Sequence, residues 1–412
     1  MGRWSPKAQA PKYMEAFQCV GAACPENCCT GWTVSVDKAT YKRYREVTLQ
    51  PLAEVLHRHV QRTQGGGDSY ARIVMKPDGA CPVLDEAGLC QIHSQLGPEA
   101  LSRTCTDYPR QYSQDGDRLG VRATLSCPEA ARLALTQADA LDPIELTLPF
   151  TNASLVPLHA RRGPPPSDAD PVRRNGALLG QVIGVALRSP GLTAVEALVV
   201  LGLMLRRVAR DCQGPEGSDV ALAEAVEHYL SDEHLQRAPA LIQALPVSKT
   251  LQLDLLLGTT QRFVRTEPVR PLFKQLLEQV GAGLGEGQGL DAMAARLAAV
   301  EREQFQPFED RHPFVWKNLL LNEFAYAMFP KGGAADIERE LMGIVVKFAL
   351  IKLYACGLMA HRGADFSLDD VVRVTYVLSR AITHNRRFLP NLLQTLQDHD
   401  ALRLDVMTQF VL

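Results

Sequence analysis

Four cysteines fall within eleven residues of this chain, Cys19-Val-Gly-Ala-Ala-Cys24-Pro-Glu-Asn-Cys28-Cys29, and two of them are adjacent. Cys81, Cys90, Cys105 and Cys127 follow, so eight of the ten cysteines lie in the first third of the chain. Cys212 and Cys356 stand apart and read as small buried hydrophobes. Met1–Pro11 has no apolar leader stretch, so the expected location is the cytoplasm. In that compartment clustered thiols serve as metal ligands or redox groups rather than as structural disulfides.

Thiolates are soft, charged ligands, and four of them suit tetrahedral zinc or an iron–sulfur cluster. Close spacing lets one loop present several sulfurs at little entropic cost. The adjacent pair is awkward on a single ion, because consecutive side chains of an extended backbone point to opposite sides. Either the pair bridges two parts of one cluster, or one member is no ligand, or two centres exist. The Cys-x-x-x-Cys-x-x-Cys loop of radical S-adenosylmethionine enzymes is absent: Cys24 and Cys28 have its first spacing, but position 31 is glycine.

Around the cysteines the pattern predicts a mixed module. Trp32–Val36, Tyr70–Met75 and Leu119–Leu125 read as short strands. Asp37 is a good N-cap for a long helix reaching about Arg62, and Gln91–Leu96 and Pro98–Cys105 read as short helices. Asp115-Gly116-Asp117 reads as a turn, and Pro128 starts a further helix just after Cys127. Residues 161–172, with three successive prolines, predict a linker between a cysteine-rich domain (1–160) and a helical domain (173–412). Beyond it, apolar residues recur at helical spacing in Val195–Leu205, Thr250–Phe263, Leu272–Val280, Trp316–Phe329, Ile337–Leu358, Leu368–Ile382 and Phe388–Leu396. Gly281–Gly289 and Lys331-Gly-Gly-Ala read as connections, and the first lacks the spacing of a dinucleotide-binding loop. The expected class is α+β, mostly α. The hydrophobic fraction of 46% suits a large folded core. A formal net charge of -2 favours neither a nucleic-acid partner nor a membrane surface. Gly191–Met204 is the most apolar run read from the sequence, and it is too short to span a bilayer.

Tyr13-Met-Glu-Ala-Phe17-Gln-Cys19 and on to Trp32 resembles the opening of the flagellin lysine-N-methylase family. Cys81-Pro-Val-Leu-Asp85, Leu89-Cys90-Gln-Ile92, Leu101–Arg110, Ser126–Leu133, Asn318–Pro330 and His384–Leu389 continue the resemblance in order. The cysteine order is also similar to a broader family of zinc- or iron-chelating proteins. The fuller resemblance implies methyl transfer from S-adenosylmethionine to lysine side chains of flagellin, dependent on a [4Fe-4S] cluster. It carries the cluster onto Cys19, Cys24, Cys28, Cys29, Cys81, Cys90, Cys105 and Cys127 as a set, with Cys19 and Cys127 the outliers. The competing expectation is a non-enzymatic iron–sulfur or zinc protein with a redox, sensing or scaffold role.

Methyl transfer needs a neutral amine, although free lysine titrates near about 10.4. It also needs donor and acceptor held in line. Asp85 and Tyr108, between the cysteines, are the candidate catalytic residues, with Asp107 and His93 behind them. Trp32, Arg110, Asn318 and Asn322 are the candidate cofactor contacts. Arginine can grip a carboxylate with two parallel bonds, Asn318 and Asn322 share a helix face, and Trp32 can shield the metal site. Ordinary roles compete: a turn former for Asp85, packing for Tyr108, a helix boundary for His384-Asn385.

Overall fold

The computed structural model describes residues 7–65, 69–115, 118–148, 160–162, 170–213, 218–266, 269–385, 387–398 and 403–412. Among them 64% are helical and 9% lie in strands, so the class is α+β and mostly α. Gly116 and Asp117 of the expected Asp115–Asp117 turn, and most of the linker expected at 161–172, lie outside the described residues.

The strands are β1 (Lys7–Pro11), β2 (Val34–Val36), β3 (Val60–Arg62), β4 (Ala71–Ile73), β5 (Arg110–Asp115), β6 (Arg118–Ala123), β7 (Pro143–Thr147) and β8 (Ala160–Arg162). They form one sheet in the order β7-β1-β6-β5-β8 and a second, β2-β4-β3. The second is antiparallel throughout, with Val34 and Val60 both opposite Ile73. In the larger sheet β1 runs parallel to β6, and β5 and β6 form an antiparallel hairpin. β2, β4 and β6 lie in the three expected strand segments. β1, β3, β5, β7 and β8 are not among the expected strands, although β1 and β7 alternate in burial; the partners of β1, β7 and β8 come from distant parts of the chain.

Asp37 is the expected N-cap: its Oδ1 accepts from Ala39 N and Thr40 N, both at 2.9 Å. The single helix expected to follow is two, Lys38–Glu46 and Leu52–His59, with β3 beyond. Pro51 sits at the break; it has no N–H to donate and disfavours helical geometry in the residue before it.

Buried residues form two cores. The smaller gathers Val34, Val36, Tyr44, Leu52, Leu56, Val60, Ala71, Ile73, Cys81, Val83 and Ile92, with Cys29, Trp32, Cys90 and Cys105 packed at its rim. The larger runs from Ala8 in β1 to Val411 and joins the five-stranded sheet to the helices. Its centre is the helix Ile337–Arg362, buried along nearly its whole length. By length and composition it is, among the described residues, the one helix that could cross a membrane, yet 94% of its most apolar stretch is buried inside the fold. It contains Lys347, which pairs with Glu323 at 2.7 Å in the core.

The helix Pro271–Leu284 lies against that central helix. The connection expected from Gly281 begins later, at Gly285, which has a φ of +79° and caps the helix. A Cβ at Gly283 would stand 2.1 Å from the carbonyl oxygen of Gly357. Glycine is therefore required at this helical position, because the two helix backbones approach too closely for any side chain. This contact fixes the helix whose first turn reaches the cysteine loop.

Candidate active site

The loop Cys19–Trp32 is held by backbone contacts to the segment around Cys81. Cys81 N donates to Cys29 O at 2.9 Å, Gly31 N to Gly79 O at 2.9 Å, and Thr30 bridges to Ala80. Asn27 ties the loop to the next turn: its Nδ2 donates to Gly88 O at 2.5 Å and its Oδ1 accepts from Cys29 N at 2.7 Å. Leu84 bridges to Cys90, which brings Cys81 and Cys90 together. Cys90 and Cys127 each precede a helix, and Cys105 lies on the short helix Arg103–Asp107.

All ten cysteines are free thiols. Burial pushes Cys81 and Cys127 up to about 11 and Cys105 up to about 12. Cys28 and Cys29 have their sulfurs 4.0 Å apart. The hydrogen bond from Cys29 draws Cys28 down to about 7, with Arg380 and Arg270 adding to the effect, while Cys29 is pushed up by the same bond. A bound metal reverses this preference by stabilising thiolates directly. Among the described residues no three His, Cys, Asp or Glu side chains close on one point as a single ion requires. The donor chemistry, eight free thiols in one region, suits a sulfur-ligated cluster.

One cavity opens against this loop, with a volume of about 110 Å³. Cys28, Gly31 and Trp32 form one wall, Tyr108 another, and Phe263, Arg270, Phe273, Arg380 and His384 close it from the helical side. Trp32, Tyr108 and His384 make a three-sided aromatic corner, with ring centroids 5.2, 5.5 and 5.7 Å apart and planes tilted by 52–59°. Such faces carry negative quadrupole potential and accept cations. Behind them runs a polar chain: Tyr108 Oη lies 3.2 Å from Ser126 Oγ, which lies 2.9 Å from His384 Nε2. Burial, followed by repulsion from Arg380, Arg270 and Lys347, drives His384 down to about 4, so its ring is neutral at pH 7. Burial also raises Tyr108 to about 12.

The opposite side of the cavity is ionic. Glu26 Oε1 accepts from Arg270 Nη1 at 2.9 Å and forms an ion pair with Arg380 Nη1 at 3.2 Å. Arg380 is only 5% exposed and also donates toward the carbonyls of Glu26 and Asn27 and to Tyr108 Oη. Two guanidiniums thus share one carboxylate oxygen, and the site keeps excess positive charge. Glu26 Oε2 and Trp32 Nε1 are buried with no hydrogen-bond partner among the described residues. Orphaned buried polar atoms on a cavity wall are costly unless a ligand satisfies them.

The residues expected from sequence are divided by this geometry. Trp32 and Tyr108 meet on the cavity wall, and Cys28 joins them. Asp85 closes a turn, accepting from Leu89 N at 2.8 Å. Arg110 lies with its guanidinium 4.8 Å from the centre of the Phe17 ring. Asn318 donates to Ala134 O and Gln137 O at 3.0 and 2.8 Å, and Asn322 donates to Ala123 O while accepting from Tyr13 Oη. These four do not line the cavity. Asp107 pairs with Arg103 one helical turn away. His384 does end its helix, as the boundary reading expects, but its ring also belongs to the site. Glu26, Ser126, Arg270 and Arg380 are not among the candidate site residues read from the sequence. Arg380, a charge in the apolar second half of the helix Leu368–Thr383, is the one visible signal.

No solved structure matches the chain. It is 26% identical over 399 residues to the lysine-N-methylase of Salmonella typhimurium strain LT2, covering 92% of this chain and 93% of that one. The lysine-N-methylase of Salmonella choleraesuis strain SC-B67 is likewise 26% identical over 396 residues, with the same coverage. The flagellar biosynthetic protein FliU of Salmonella muenchen is 31% identical over 135 residues, 32% of this chain and 78% of that one. The family model of the FliB lysine N-methylase C-terminal domain matches residues 186–410, which include Arg270, Arg380 and His384. With more than half its length matched to that model, the chain belongs to the FliB lysine N-methylase family.

Proposed function

We propose that this chain is a protein-lysine N-methyltransferase, acting in the cytoplasm, that moves a methyl group from S-adenosylmethionine to lysine side chains of flagellin in the cavity between the cysteine loop and the helices. The observation that carries the reading is the wall itself: an aromatic corner for a cationic centre facing a pair of arginines that share one glutamate. A lysine ammonium brought beside that excess positive charge is destabilised, which favours the neutral, nucleophilic amine. His384, neutral down to about pH 4, and the hydroxyls of Ser126 and Tyr108 provide a hydrogen-bonded path for the released proton. Trp32 and Tyr108 face the sulfonium with their rings and keep water from the reacting atoms.

Four at most of the eight N-terminal cysteines would hold the [4Fe-4S] cluster. When bound with one iron left without a cysteine, it would supply a Lewis-acidic centre and would tie the loop that carries Glu26 and Trp32. The test is anaerobic incubation of the iron-loaded full chain with flagellin, with and without the donor, followed by mass spectrometry of the flagellin lysines. Mass gains in steps of one methyl group that require the donor support the reading. An iron-loaded protein that leaves every lysine unchanged would instead be a non-enzymatic iron–sulfur protein.

A further inference from the structure

Arg270 Nη1 is committed to Glu26, while its Nε and Nη2 donate to no described residue. That edge faces Gly31. A Cβ built on Gly31 would stand 3.1 Å from both Nε and Nη2 and 3.4 Å from Cζ, in front of the edge rather than above the guanidinium plane. Gly31, at a φ of +71°, therefore leaves open the space where a carboxylate would meet two parallel N–H groups. Both residues line the cavity. Glu26 also lines the cavity, and its second carboxylate oxygen is buried with no hydrogen-bond partner among the described residues. The cavity thus offers a forked donor for a carboxylate, an acceptor for an ammonium, and aromatic faces for an adjoining cation or thioether. That is the complement of an α-amino acid carrying a positively charged or sulfur-containing side chain.

We infer that the Nε–Nη2 edge of Arg270, kept open by Gly31, binds the α-carboxylate of the methionyl end of the methyl donor, that Glu26 Oε2 takes its α-ammonium, and that the sulfur is thereby set against Trp32, Tyr108 and His384. The inference rests on the reading of the cavity as the donor site. Arg270 is a specificity residue in this arrangement: it recognises the amino-acid end and takes no part in bond making. Lysine in its place would keep the charge but not the fork.

The experiment is calorimetric binding to the full, iron-loaded chain under anaerobic conditions, with two probes that share the adenosine and the sulfur. S-adenosylhomocysteine carries the amino-acid end and methylthioadenosine lacks it. The wild type should bind S-adenosylhomocysteine tighter than methylthioadenosine by about 10- to 100-fold. Arg270→Met should remove most of that difference while leaving methylthioadenosine binding unchanged, which also certifies that the variant is folded. Arg270→Lys should recover only part of it, and Gly31→Ala should resemble Arg270→Met if its methylthioadenosine affinity is retained. Equal binding of the two probes by the wild type overturns the inference, as does an Arg270→Met protein that keeps the full difference or weakens both probes alike. A wild type that binds neither probe refutes the donor-site reading itself, and the inference falls with it.

Discussion

The core beneath the cysteine loops gathers eleven buried residues around three-residue strands, whereas the helical core runs from Ala8 to Val411 around one long buried helix. The helices carry their own stabilising devices. Thr193 and Glu196 form a reciprocal cap, as do Ser367 and Asp370, and glycine contacts let backbones touch. The cysteine region has short helices, few such caps and a rim of free thiols. Small cores of this kind depend on added cross-links or metals. The difference teaches where each kind of residue acts: the helices hold a rigid wall, and the cysteine loop is laid against it through Arg270 and Arg380.

If that contrast is right, the largest effect belongs to a thiol of the small core. Cys81→Ser should abolish cluster loading, read as lost iron and lost absorbance near about 400 nm. It should also open residues 19–105 to proteolysis while the helical circular dichroism persists. Full iron content in this variant would break the comparison. Arg380→Met comes next, because it removes a buried cation from Glu26 and from two loop carbonyls. A loss of about 3–5 kcal/mol in unfolding free energy is expected, together with loss of methyl transfer.

Asn318→Ala should cost about 1–3 kcal/mol, since the buried carbonyl of Ala134 and the partly buried one of Gln137 lose their donor, with the methylation rate per folded molecule unchanged. A specific fall in rate would return Asn318 to the site. Tyr108→Phe should lower stability by about 1 kcal/mol and slow methyl transfer roughly tenfold. The smallest effect at neutral pH is that of His384→Gln. The folded protein holds this ring at about 4, against 6.5 when free, so the neutral form is the one the fold favours. Its contribution is complete above about pH 6.5 and is lost as the pH falls through about 4. Unfolding midpoints followed from pH 7 to pH 4 should therefore fall less steeply in His384→Gln than in the wild type.

How much of the site was legible follows from which contacts are local. Trp32 and Tyr108 lie near cysteines, so a reading that starts from the thiols reaches them. The Asp37 cap and the helical runs are likewise set by neighbours in the chain. Arg270 and Glu26 are 244 residues apart, and although Glu26 lies within the cysteine motif, nothing in that motif points to Arg270. Asn318 and Asn322, read as ligand contacts from their shared helix face, spend their amides on the carbonyls of Ala134, Gln137 and Ala123. Nothing in the spacing of two asparagines reveals which acceptors the fold will bring to them.

The sequence by itself determined the chemistry available: eight soft ligands in one region, apolar stripes that must bury as helices, and a chain without the glycine-rich turn of a dinucleotide fold. Only the tertiary structure decided how those groups are used. Helix periodicity and capping act over a few residues, so they can be read along the chain. The excess charge at Glu26, the open edge of Arg270 and the neutrality of His384 arise from distant segments packed into one low-dielectric space. They exist only once the cysteine loop lies against the helices.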